Sequence, residues 1–329
     1  MATRGYSGYK GRKSPWKILA AILLVLVILA AAGVLVLQKY LVYDANGTPH
    51  LRLPGQEEIK TPASSGDASS SGDLGPVDVT IDPPERREVL GYLLENPNGD
   101  LTDYLAPDGD LNAVGVTLKG TDGKLRTGWQ DDEILQSLLQ DESRHCVARI
   151  ACFRDGQTAR SRVKELGLEN TGGYIFYDAN NANWLDPGKA AAREYLLDLI
   201  REAAEAGFDE ILLTDVSYPT VGKLNKIDYG EGEKGGHLAD FLEEMRAALA
   251  PYGVMLSIEV PKAVISQGAD ENVGLLLADI APKVDRIYAP ADAAEVPALA
   301  QAVSTASQFA EFVPELAEAD PAVGNFLVS

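Results

Sequence analysis

The stretch from Asp186 to Val216 reads DPGKAAAREYLLDLIREAAEAGFDEILLTDV and predicts one helix followed by one strand. Asp186 as N-cap, Pro187 in the first turn and Gly207 after the last turn predict the ends of the helix. Its apolar residues repeat with the helical period of 3.6, and they are Tyr195, Leu196, Leu199, Ile200 and Ala203. The apolar run 210–216 then predicts a buried strand. This order of elements is typical of parallel α/β folds.

The same alternation continues on both sides of this stretch. The strand candidates are residues 113–118, 145–153, 172–178, 210–216, 254–260, 285–291, 309–315 and 325–329. Residues 172–178 can also be read as a hairpin arm. Eight candidates, with helices between most of them, predict an α/β fold of the (β/α)8 TIM-barrel type. The last two units are short, so we expect barrel closure to be weakest there.

The composition of the chain excludes several classes of protein. Its 329 residues include 46% hydrophobic and 24% charged side chains, which is the balance of a globular protein. The net charge of -20 argues against nucleic acid as a partner, because phosphate binding needs a basic surface. Two cysteines, Cys146 and Cys152, cannot form a disulfide framework. The three histidines are scattered, and we expect neither a metal site nor a cofactor.

The N-terminal region predicts a membrane anchor. Residues 18–38 form an apolar run without charge, long enough to cross a bilayer as a helix. Residues 1–17 contain five basic and no acidic side chains, so the positive-inside rule places them in the cytoplasm and the rest of the chain outside. A cleaved signal peptide is the alternative. Residues 39–84, rich in Ser, Gly, Asp and Pro, predict a flexible extracytoplasmic tether, and the folded domain spans residues 85–329.

Several segments of the folded domain resemble one bacterial family, the glycoside-hydrolase-like (β/α)8 barrels that are expected outside the cytoplasm. NAVGVTLK (112–119) resembles NAVVIDVK, and VARIACFRD (147–155) resembles IARIVVFKD. WLDP (184–187) is also a family feature, and GFDEILLTDVSYP (207–219) resembles GFDEIQFDYIRFP. LAPYGVMLSIEVPK (249–262) resembles a later segment. The resemblance implies a barrel with its site at the carboxyl ends of the strands and carbohydrate as the substrate class.

The same alignment shows where this chain departs from the family. Thr117 and Thr214 stand where the family has aspartates, and Ser217 stands where it has an arginine. Glu259 keeps an acidic side chain at a third position. The resemblance therefore implies a catalytic site that has lost two of three acidic groups. It leaves open whether the chain is an enzyme.

The candidate site follows from these positions and from strand parity. Glycoside hydrolysis uses two carboxyl groups, and we take Glu259 and Asp215 as the candidate catalytic pair. Asp178 and Asp186 are alternatives for the second carboxyl group, although Asp178 also fits a turn and Asp186 a helix cap. For Glu259 the alternative is a structural ion pair with a lysine or arginine. The candidate substrate-binding residues are Thr117, Lys119, Arg149, Trp184, Thr214 and Tyr288.

Three functions stay open at this point. The first is a membrane-anchored barrel that acts on or binds polysaccharide through a degenerate site. The second is an active glycosidase that uses Glu259 and an unidentified second carboxylate. The third is a structural protein of the cell envelope without enzymatic activity. The expected partners are a polysaccharide or cell-wall glycan and the membrane, and the sequence does not indicate an oligomeric state.

Overall fold

The computed structural model describes residues 41–43, 49–51, 86–104 and 111–329. The predicted membrane span 18–38 and basic tail 1–17 lie outside these residues. Among the described helices, none combines the length and the apolar character needed to cross a bilayer. Within the predicted tether, Leu41–Tyr43 and Pro49–Leu51 form an antiparallel pair of short strands.

Eight parallel strands close into a barrel. They are β1 (Leu90–Leu94), β2 (Ala113–Lys119), β3 (His145–Ala151), β4 (Glu210–Thr214), β5 (Met255–Glu259), β6 (Arg286–Pro290), β7 (Glu311–Leu316) and β8 (Phe326–Val328). Each strand pairs with the next, and β8 pairs with both β7 and β1. The barrel therefore closes through its shortest strand, at the point where the sequence predicted the weakest closure.

Helices cover the barrel unevenly. They are α1 (Glu133–Leu139), α2 (Gly156–Ser161), α3 (Ala190–Ala206), α4 (Lys234–Leu249), α5 (Lys262–Ser266), α6 (Leu277–Ile280) and α7 (Val296–Ala306). In the described part of the chain, single 3-10 turns, Thr102–Tyr104 and Pro321–Val323, take the place of helices after β1 and β7. The predicted TIM-type barrel is thus confirmed, with two abbreviated units.

One strand prediction was wrong and one strand was missed. Residues 172–178 form the hairpin arm of the alternative reading: Glu169 and Ile175 pair as an antiparallel bridge, outside the barrel. The eighth barrel strand is instead β1, whose interior Gly91 weakens the sequence signal of a strand. A Cβ at Gly91 would overlap the carbonyl oxygen of Ala113 on β2. Close packing of β1 against β2 therefore requires glycine here.

Helix α3 ends at the predicted position but begins later than predicted. Gly207 adopts the left-handed conformation, with φ 102° and ψ 21°, which glycine tolerates best. The helix starts at Ala190 rather than Pro187, and its N-cap is Lys189. Asp186 accepts a hydrogen bond from the Gly188 amide at 2.9 Å, forming a turn before the helix. The helix-cap prediction for Asp186 was wrong for this reason.

Strand alternation divides the buried residues into two groups. The side chains that fill the barrel interior are Val89, Ala113, Val147, Leu212, Tyr288, Val313 and Leu327. A larger apolar cluster lies between the outside of the barrel and the helices. Because side chains at i and i+2 share a face, the interior set shows which later residues on each strand reach the barrel mouth.

Candidate functional site

An ion pair crosses the mouth of the barrel between β3 and β5. Arg149 donates from Nε and Nη2 to Glu259 Oε2, at 3.1 and 2.8 Å. Their side chains are 13% and 22% exposed. Burial opposes the charge of Arg149, but the Glu259 carboxylate outweighs it and raises the pKa of the guanidinium. The ion-pair alternative for Glu259 is therefore what the structure contains.

A second carboxyl group, that of Glu315, lies against Glu259. Glu315 belongs to β7 and is only 6% exposed. Burial and the negative charge of Glu259 raise its pKa to about 8, and the two side chains share a hydrogen bond. Its Oε1 has no hydrogen-bond partner in the described structure. At neutral pH Glu315 is therefore mainly protonated, and it can act as a proton donor.

The sequence predicted the strand that carries Glu315, but Glu315 was not among the candidate site residues. The signal was present: Glu315 is two residues beyond Val313, so both face the interior, and it lies at the carboxyl end of its strand, where sites of such barrels are found. Its neighbour across the lumen, Glu259, lies two strands away. That contact depends on strand tilt and stagger, which local patterns do not reveal.

Asp215 reaches the same site by breaking the strand pattern. Simple alternation places Asp215 and Thr214 on opposite faces, but Asp215 has a positive φ of 50°. Thr214 Oγ1 consequently donates to Asp215 Oδ2 at 3.4 Å. Burial raises the pKa of Asp215 and Glu259 adds to this effect, while Arg154 opposes it. A positive φ in a residue other than glycine is uncommon, and such residues are enriched at functional sites.

Thr117 and Lys119 lie at the carboxyl end of β2, on either side of a shift in the pairing register with β3. Lys119 is fully buried, forms an ion pair with Asp155 at 3.0 Å and donates to the Ala151 carbonyl at 2.7 Å. It therefore stabilises the scaffold and has no free face for a substrate. Thr117 is also fully buried, and its hydroxyl has no partner within the described structure.

Tyr288 lies deeper in the barrel than the sequence analysis placed it. It is fully buried, and its hydroxyl donates to Glu210 Oε1 at 2.8 Å. Glu210 also contacts His145 Nε2 and Arg286 Nη1, both at 2.7 Å. Arg286 in turn donates to Glu311 at 3.0 Å. The substrate-binding prediction for Tyr288 does not fit this position, because the residue belongs to a buried polar network at the amino ends of the strands.

Trp184 and Asp178 lie in the segment between α2 and α3. Trp184 is 7% exposed in the outer apolar cluster, and its indole nitrogen donates to Asp178 Oδ2 at 3.2 Å. Asp178 Oδ1 accepts from the amides of Asn180 and Ala182, at 2.8 Å each. Asp178 is thus the turn residue of its alternative reading. The hydrogen bonds of these two side chains connect them to each other and to their own loop.

The site therefore brings together Arg149, Thr214, Asp215, Glu259 and the unpredicted Glu315. Glu315 is a carboxylic acid at neutral pH, and Glu259 is an ion-paired carboxylate. Asp215 is a third carboxyl group, and the charge of Glu259 contributes to its raised pKa. Proton donation by one carboxyl group and attack assisted by another is the chemistry of glycoside hydrolysis. Within the described residues, no group of three or more His, Cys, Asp or Glu side chains is arranged to bind a metal.

Comparisons with known proteins extend this description. A curated relative, dephospho-CoA kinase of Salinibacter ruber, is 26% identical over 120 residues, which are 36% of this chain and 60% of that protein. The chain thus spans less than two thirds of the kinase, and it contains no GxxxxGK[ST] phosphate-binding loop.

Two solved structures resemble parts of this chain. A hypothetical protein from Ruminiclostridium thermocellum has 26% identity and a TM-score of 0.39, with 46% of this chain and 84% of that chain covered. The PgaB (BpsB) glycoside hydrolase domain from Bordetella bronchiseptica has 13% identity and a TM-score of 0.44, with 65% and 76% covered.

The family comparison covers most of the barrel. The model described as "Putative glycosyl hydrolase domain" matches residues 105–290. This range contains β2 to β6, and with them Arg149, Asp215 and Glu259, whereas Glu315 lies beyond it. Because the match spans more than half of the chain, this protein belongs to that family of glycosyl hydrolase domains.

Proposed function

We propose that this protein hydrolyses a glycosidic bond in a polysaccharide, with Glu315 as the general acid. The observation that carries the proposal is the contact of the buried Glu315 carboxyl group with the ion-paired Glu259 at the barrel mouth. This contact supplies the second carboxyl group that the sequence left unidentified. Glu315 lies outside the family match, so the proposal for it rests on position and not on resemblance.

Each of the three carboxyl groups has a separate role in this proposal. Glu315 gives its proton to the leaving glycosidic oxygen. Glu259 holds that proton in place before substrate binds, and Arg149 fixes the Glu259 carboxylate. Asp215 acts as the base or nucleophile. The two catalytic carboxyl groups of a glycosidase lie roughly 5–9.5 Å apart, and Glu259 is too close for this role because it is hydrogen-bonded to Glu315. Asp215 has no hydrogen bond to Glu259 and can leave room for the sugar.

Turnover by the full-length chain in non-ionic detergent tests this function. We expect hydrolysis of at least one member of a panel of aryl glycosides and polysaccharides, and loss of that activity in Glu259→Gln. Glu318→Gln, on the exposed loop after β7, is the matched control and should behave as wild type.

A non-catalytic carbohydrate-binding barrel is the second candidate, and the replacements at Thr117 and Thr214 favour it. Threonine hydroxyls hydrogen-bond sugars but do not act as carboxylate bases at neutral pH. Sugar binding without turnover, weakened by Arg149→Ala, would select this candidate. Absence of both turnover and binding would leave the structural envelope role.

We also propose that residues 18–38 anchor the protein in the cell membrane, with residues 1–17 inside and the barrel outside. The apolar run and the basic residues before it support this topology. Protease added to intact cells is expected to digest residues 85–329 and to leave residues 1–17 protected. Release of an intact barrel into the medium, with its N-terminus near residue 33, would instead show a cleaved signal peptide.

A further inference from the structure

A groove that the proposed catalysis does not use lies between the loops that follow β3 and β4. It has a volume of about 620 Å³. The residues that line it are Asn170, Thr171, Ile175, Phe176, Tyr177, Asp178, Ala179, Gly222, Lys223 and Lys226. Because both loops leave the carboxyl ends of their strands, the groove lies on the same face of the barrel as the mouth.

Backbone hydrogen bonds fix the two walls of the groove to each other. The Thr171 amide donates to the Lys226 carbonyl at 2.8 Å, and the Asp228 amide donates to the Glu169 carbonyl at 2.9 Å. Asn170 and Ile227 pair as an antiparallel bridge between the same segments. The groove is therefore preformed, and a ligand would not have to pay for ordering the loops.

Two lysines give the groove a positive charge in a strongly acidic protein. Lys223 and Lys226 are exposed, and within the described structure neither ammonium group forms an ion pair. The nearby Lys164 and Lys189 differ, since both form an ion pair with the same carboxylate, that of Glu169, at 2.6 and 3.1 Å.

Asp178 also lines the groove, and its negative charge offsets one of the two positive charges there, but among the described residues it forms no ion pair with either lysine. Both carboxylate oxygens of Asp178 accept hydrogen bonds from the protein, as described above. The two ammonium groups are therefore available to an anion in the groove.

An exposed aromatic ring completes the site. Tyr177 is 50% exposed at the groove, and the neighbouring Phe176 is 3% exposed. An exposed tyrosine face next to hydrogen-bonding groups can stack against a sugar ring, and the lysines provide donors for its substituents. An acidic sugar complements both features of the groove, because its ring packs against the apolar tyrosine face and its carboxylate attracts the positive lysines.

We propose that this groove binds an oligosaccharide whose sugars carry carboxylate groups. The ring of one sugar stacks on Tyr177, and its carboxylates contact Lys223 and Lys226. The inference deepens the proposed function and rests on it for the ligand class, since it specifies an acidic polysaccharide held beside the mouth.

The test measures binding of tetragalacturonate to the full-length chain in non-ionic detergent by titration calorimetry. Its methyl ester, with the same sugars and no charge, is the matched ligand. All measurements use the Glu315→Gln background, so that binding is read without cleavage. The double substitution Lys223→Gln and Lys226→Gln is compared with Lys124→Gln and Lys283→Gln, which removes the same charge elsewhere.

We expect tetragalacturonate to bind at least ten-fold more tightly than its ester, with an affinity that falls as salt is added. The groove double variant should lose about ten-fold in affinity, as expected for two exposed charges, and Tyr177→Ala should lose a similar factor. The control double variant should bind as the background does. Equal binding of ester and acid, or unchanged affinity in the groove double variant, would overturn the inference. Binding without turnover of any substrate by wild type would refute the hydrolase proposal alone.

Discussion

Glu315→Gln is expected to lower kcat by about 10²–10³-fold, because glutamine keeps the shape of the side chain but cannot donate a proton to the leaving oxygen. Substrate binding should change little. In wild type, activity should fall above about pH 8, where Glu315 loses its proton. Aryl glycosides with good leaving groups need less protonation, and they should lose less activity than poor ones. A kcat within a few-fold of wild type would remove Glu315 from the mechanism.

Glu315→Gln is expected to lower activity and yet to raise stability relative to wild type at high pH. A stability measurement therefore distinguishes loss of the proton donor from misfolding. The folded-state pKa of Glu315 is raised, so between pH 4.5 and about 8 the native protein retains a proton that the unfolded chain releases. Stability is then lost as pH rises through this window, by at most about 1.4 kcal/mol per pH unit. Glutamine cannot ionise. Chemical denaturation at pH 5 and pH 8 should therefore show Glu315→Gln gaining stability relative to wild type as pH rises, with Glu318→Gln showing no such trend.

Arg286→Met is expected to destabilise the barrel by about 3–5 kcal/mol, because it leaves the buried Glu210 carboxylate without its cation. Arg286 and Glu210 are both fully buried, and their ion pair is 2.7 Å long. Although burial opposes its ionisation, the hydrogen bond from His145 and the charge of Arg286 lower the pKa of Glu210 to about 2. In the variant the charge of Arg286 no longer lowers this pKa, so burial acts against the Glu210 carboxylate with less to offset it.

Lys283→Met is the matched control for this experiment. It removes another cation, three residues earlier, from an exposed ion pair with Glu243 at 2.9 Å, and it should cost less than about 1 kcal/mol. The double variant Glu210→Leu, Arg286→Met should lose less than the sum of the two single changes, because it removes both charges. Urea denaturation curves measure all four variants. A loss in Arg286→Met no larger than in Lys283→Met would contradict a stabilising network.

The sequence predicted the barrel well because each repeating unit carries a local signal. Gly207 ends α3 as expected, and the strand at residues 210–216 follows from its run of apolar side chains. The signal failed at β1, where Gly91 is required by its close contact with Ala113 on the neighbouring strand β2. It also failed at residues 172–178, whose aromatic and β-branched side chains pack in a loop. In both cases long-range packing overrode local propensity.

Prediction of the site was limited in the same way. Arg149 and Glu259 were placed correctly by alternation along their strands. Asp215 reaches the site because its backbone has a positive φ, and the sequence TDV does not indicate that conformation. Tyr288 faces the barrel interior as predicted, but it lies below the mouth. Strand alternation predicts which face a side chain is on and does not predict how far along the barrel axis it lies. The partnership of Glu315 with Glu259 depends on the closed ring of strands.

The buried network around Glu210 also determines how a substrate travels. Hydrogen-bonded side chains occupy the barrel interior at the amino ends of the strands, namely His145, Arg286, Glu311 and Tyr288. In the described part of the chain, the interior is therefore accessible from the mouth and blocked at the opposite end. For the proposed hydrolysis, a polysaccharide would therefore reach Glu259 from the mouth and not by passing through the barrel. Under that proposal, the cleaved fragment and the next segment of the polysaccharide share this mouth as their route.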